Sequence, residues 1–71
     1  MKTKYVAKIF GNRNRIATCL RMTRGAVYAW DEEVPELRAY QLQRIIDAVP
    51  RSRLTLLTAN EVDKILKRKA A

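Results

Sequence analysis

Arg13, Arg15, Arg21 and Arg24 lie within one short stretch, and no acidic side chain interrupts it until Asp31. A guanidinium is a planar, permanently charged fork of N–H donors, matched to a phosphate or to the O6/N7 edge of guanine. The whole chain shares this bias. Fifteen Lys and Arg against seven Asp and Glu give 71 residues a net charge of +8. Such a surplus predicts a polyanionic partner, nucleic acid first and an anionic membrane surface second. Catalysis is not expected. No histidine is present, Cys19 is the only cysteine, and no glycine-rich loop could cradle a phosphate. No metal or cofactor is expected either. Cys19 reads as a small apolar residue suited to a reducing cytoplasm. No apolar run approaches the roughly 18 residues of a membrane span, and the N-terminus lacks the apolar segment of a signal peptide.

The elements that must hold those arginines follow from apolar spacing. About half the residues (48%) are hydrophobic, enough for one packed domain over 1–71. Val6, Ala7, Ile9 and Phe10 predict a first helix over Thr3 to Phe10. Gly11 ends it, and Asn12 caps the next. Ile16, Ala17 and Leu20 put one apolar stripe on Arg13 to Leu20. Arg21-Met22 breaks that pattern, Thr23 offers a capping hydroxyl, and Ala26, Val27 and Trp30 resume the stripe. Two short helices joined by a tight turn form a helix-turn-helix, whose second helix enters the major groove of DNA. Asp31, Glu32, Glu33 and Glu36 precede or open a fourth helix, where they complement the dipole, and Pro35 fits its first turn. That helix is predicted from Glu36 to Val49, with Leu37, Tyr40, Leu42, Ile45, Ile46 and Val49 on its core face; Pro50 stops it. Arg51-Ser52-Arg53 reads as a connector. Leu54 to Leu57 fits a helical turn, an extended segment or a short strand. Thr58 and Glu61 form a capping box for a last helix carrying Val62, Ile65 and Leu66, and 67–71 reads as a frayed basic tail.

Phe10-Gly11, Ile16-Ala17, Leu20, Thr23, Ala26-Val27, Trp30, Val34-Pro35-Glu36 and Ala39-Tyr40 resemble the Cro repressors of lambdoid phages. The resemblance runs from Val6 to Tyr40. It implies a small dimeric repressor that binds palindromic operators and blocks transcription initiation in the cytoplasm of a bacterial host, at the nucleoid. It also implies an all-α fold, a compact lambda-repressor-like bundle of about five short helices, with a strand near 54–57 as the minority alternative. Arg21 departs from the pattern, because it stands where the motif has glycine.

Within this frame Arg24, in the first turn of the second motif helix, is the expected base reader. Gly25, Tyr28 and Ala29 share its outward face. Gly25 allows close approach, Ala29 can meet a methyl group, and Tyr28 either meets a thymine methyl or phosphate or packs at the surface. Asn12, Arg13, Asn14 and Arg15 gather at a helix N-terminus suited to phosphate, with Arg21 and Thr23 as further phosphate candidates. One such motif reads only a few base pairs. A homodimer on double-stranded DNA, weak without it, would place two reading helices roughly 34 Å apart. Leu54, Leu56 and Leu57 are the expected interface, with closure of the monomer core as the competing reading. Two other classes fit the same residues less fully: an antitoxin- or excisionase-like DNA-binding autoregulator, and a basic membrane-surface or RNA-binding module.

Overall fold

The computed structural model describes residues 1–67. It is all-α: α1 Thr3–Phe10, α2 Arg13–Leu20, α3 Arg24–Tyr28, α4 Glu36–Ala48 and α5 Ala59–Leu66, with a 3-10 helix Arg51–Leu56 between the last two. No helix among the described residues is long and apolar enough to cross a membrane. Beyond Lys67, the expected basic tail lies outside the described residues.

Local signals place the helix ends. Gly11 follows α1 at φ 108°, a conformation glycine reaches without a Cβ clash. The Asn12 side chain then accepts the Arg15 N–H at 2.9 Å and opens α2. Arg21 closes α2 in the left-handed region at φ 55°, at a cost of about 1 kcal/mol for a residue with a Cβ. That geometry lets the Met22 N–H return to the Ala17 carbonyl at 2.9 Å and satisfies a carbonyl that the helix end would leave open. Thr23 Oγ1 accepts the Ala26 N–H at 3.2 Å and starts α3. Thr58 and Glu61 complete a reciprocal capping box on α5.

The core draws Val6 and Phe10 from α1, Ile16, Ala17, Cys19 and Leu20 from α2, and Val27 from α3. Leu42 and Ile45 of α4, Leu54 and Leu57 around the 3-10 helix, Val62 of α5, and Ile9, Trp30 and Val34 complete it. α2 packs on α1, α3 and α5, while α4 packs on α5. Cys19 is fully buried, as a small apolar residue would be.

Five expectations are corrected. Leu37 and Tyr40, assigned to the core face of α4, are 64% and 63% exposed. At about 100° per residue the stripe through Leu42 and Ile45 leaves Tyr40 on the far side. Ala26 is exposed as well, because α3 buries Val27 alone. Pro35 is the residue before α4, at ψ 142°, rather than part of its first turn. Arg51-Ser52-Arg53, read as a connector, instead opens a 3-10 helix over Arg51–Leu56, so of the readings open for 54–57 the helical turn holds, with Leu57 extended and no strand.

The acidic run is the fifth. Only Glu36 lies in the first turn of α4. The segment before it lies along the start of the chain, where the Thr3 N–H donates to the Glu32 carbonyl at 2.8 Å and the Val34 N–H to the Met1 carbonyl at 2.9 Å. Lys2 Nζ reaches the Glu33 carboxylate at 2.8 Å and the terminal amine reaches it at 3.1 Å. These two cations, Lys2 first, hold the Glu33 carboxyl below its ordinary value.

Candidate nucleic-acid interface

α2 and α3 pack against each other as the two arms of the helix-turn-helix. Their small or branched inner residues Ala17, Leu20 and Val27 are buried. Trp30, just past the end of α3, is buried with them, and its N–H donates to the Val27 carbonyl at 3.1 Å. With α3 pinned on its inner side, Thr23, Arg24, Gly25, Tyr28 and Ala29 all remain exposed. Arg24 makes no ion pair among the described residues, so its fork is open to a ligand. Around Gly25, an added Cβ would meet no atom within 4 Å. The protein's own packing therefore does not require a glycine there.

The structure joins the start of α2 to the end of α3. The Arg13 guanidinium lies over the Tyr28 ring, 5.4 Å from its centroid, and Arg13 Nη1 donates to the Tyr28 carbonyl at 3.4 Å. This cation–π contact places a cation beside the outward face of α3. Asn12 and Asn14 are exposed next to it, although the Asn12 side chain already serves as the cap of α2. The Asn14 carbonyl accepts the Thr18 hydroxyl at 3.1 Å.

The other expected phosphate ligands sit differently. Arg15 turns inward: its Nη2 donates to the Leu57 carbonyl, and its Nε is buried. Arg21 Nη2 lies 2.8 Å from an Asp63 carboxylate oxygen, and Asp63 is itself only 4% exposed. Thr23 uses its hydroxyl on the cap of α3 while staying exposed. Of the three expected interface leucines, Leu54 and Leu57 lie wholly inside this chain's own core, whereas Leu56 is 68% exposed.

Sequence reasoning missed the Arg13–Tyr28 and Arg21–Asp63 pairs. A faint signal existed for the second. Asp63 follows Val62 on the apolar side of α5, and a carboxylate drawn into a core requires a cation.

The arrangement has an outward-facing helix, α3, with an exposed guanidinium and a neighbouring cation, on an all-α frame. No carboxylate–imidazole or thiolate–imidazole constellation can form without histidine. No curated protein and no solved structure matches the chain. The family model described as DNA-binding transcriptional regulator Cro matches residues 2–55, α1 through nearly all of the 3-10 helix, and this chain belongs to that family of DNA-binding regulators.

Proposed function

We propose that this protein represses transcription by binding a palindromic operator as a homodimer, with α3 in the major groove of each half-site. The observation that carries the reading is the exposed Arg24 at the start of α3, without an ion pair among the described residues and held outward by the Thr23 cap and the buried Val27. In this reading Arg24 reads guanine, Tyr28 and Ala29 meet the neighbouring base edges, and Arg13 with Asn12 and Asn14 grips the phosphates on one side. In this reading one copy cannot span both half-sites, which supports two copies per operator. The longest dimension of one copy is 27 Å, short of the roughly 34 Å between successive major-groove faces. Selection of bound sites from random DNA tests the whole reading. An inverted repeat with half-sites one helical turn apart is expected; an enriched sequence without dyad symmetry, or no enrichment, overturns it.

Leu56 is the exposed residue of the expected interface. Leu56→Glu should shift sedimentation toward monomer and abolish cooperative occupancy of the two half-sites. Its surface position should keep stability within about 0.5 kcal/mol of the parent. Unchanged sedimentation would place the interface elsewhere.

Gly25 separates folding from binding. Alanine at an open helical position stabilises by about 0.5–1 kcal/mol relative to glycine, so Gly25→Ala should melt higher. If the α3 backbone approaches DNA closely, the same change should weaken binding to the selected site. A higher Tm with undiminished affinity would remove close approach from the account of Gly25.

A further inference from the structure

Arg21 does something that neither the family match nor the phosphate reading covers. Its Nε donates to both Asp63 carboxylate oxygens, at 3.3 and 3.0 Å, and its Nη2 donates to Asn60 Oδ1 at 3.0 Å. Asp63 and Asn60 belong to α5, beyond the last residue matched to the family. Arg21 is also the left-handed residue of the turn, at φ 55° and ψ 44°. Glycine would occupy that conformation freely, whereas a residue with a Cβ persists there when its surroundings hold it. Thr23 and Arg24 follow within three positions, so a rotation at Arg21 is carried straight into the cap of α3 and its first reading side chain.

We propose that Arg21 and Asp63 act together as positioning residues, through which α5 fixes the angle of the reading helix, and that specific DNA affinity depends on this pair although neither residue touches DNA. The inference rests on the DNA-reading assignment above. The edge of the fork formed by Nε and Nη2 is taken by α5, so that edge is not available to a phosphate. Asp63 is the informative partner. Removing its charge adds one unit to a net charge of +8, so simple electrostatics predicts tighter binding to any DNA. Positioning predicts weaker binding to the selected site.

The test compares Asp63→Asn, Arg21→Gln and the double variant on selected and random duplexes, across a salt series, with affinities normalised to the folded fraction read by circular dichroism. Each single change should weaken selected-site binding about tenfold while random-duplex binding stays within about threefold of the parent and the salt slope is unchanged. The double variant should be no worse than the weaker single, as coupled residues require. Arg21→Lys, which keeps the charge without the fork, is expected to fold and to bind between parent and Arg21→Gln; it serves where a neutral variant does not fold. The proposal is overturned if Asp63→Asn binds the selected site as well as or better than the parent. It is also overturned if Arg21→Gln alone lowers the salt slope by about one, the mark of a lost phosphate contact, or if selected and random affinities fall in parallel. A parent protein that does not distinguish the two duplexes would instead fail the DNA-reading assignment, and this inference with it.

Discussion

Phe10→Ala should remove a third or more of the protein's folding stability. Phe10 closes α1 with no exposed surface, inside the cluster that also holds Ile16 and Leu54. Truncating a fully buried phenylalanine costs about 3–5 kcal/mol, from the lost transfer free energy and the cavity left behind. A domain of this size has roughly 4–10 kcal/mol in total at typical stability per residue. The loss should lower Tm by about 12–40 °C, since each kcal/mol moves a small domain by about 4–8 °C. Thermal and urea unfolding followed by circular dichroism measure it directly. A midpoint within a few degrees of the parent would mean that the cluster around Phe10 is not the one the structure describes. Cooling or added operator DNA should recover part of the folded population, because a ligand that binds only the native state stabilises it by mass action.

Arg24→Ala should have the next largest effect, and on a different property. Arg24 is exposed and holds no ion pair among the described residues, so its removal leaves the fold alone. Loss of a bidentate base contact costs about 1–3 kcal/mol of specific binding and relaxes preference at one base pair. That is a fall of roughly 5- to 150-fold on the selected site, with random DNA much less affected. Arg13→Ala is the contrasting case. Its guanidinium lies on the Tyr28 ring, beside the reading face, so its loss should weaken binding to every sequence and reduce the salt slope by about one phosphate. Gel-shift titrations of both variants on both duplexes separate the two roles. Equal losses for Arg24→Ala on selected and random DNA would remove it as a base reader, and an unchanged slope for Arg13→Ala would remove the phosphate contact.

The outward face of α3 was legible in the sequence because its determinants are short-range. Thr23 lies three residues before the N–H it caps, Gly11 stands where α1 must end, and Val27 precedes Trp30 by three positions, at helical spacing. The Cro-like run of residues added the fold around them. Other readings failed where one helix offered more apolar residues than one face can bury. Tyr40 is apolar enough for a core, yet the turn per residue points it away from Leu42. The acids before α4 read as dipole partners, but Glu33 faces cations at the beginning of the chain.

The residue sequence alone determined the bounds of α1 and α2, the starts of α3 and α5 and which side of α3 is outward, since caps, glycines and apolar periodicity act over three or four positions. Only the tertiary structure decided which cations remain available. Arg15 and Arg21 have the same charge and nearly the same neighbours as Arg13 and Arg24, yet their partners Leu57 and Asp63 each lie 42 positions away. Packing chooses such partners, because a guanidinium beside a buried carboxylate or carbonyl is held by whichever acceptor the fold brings within reach, however far along the chain that acceptor stands.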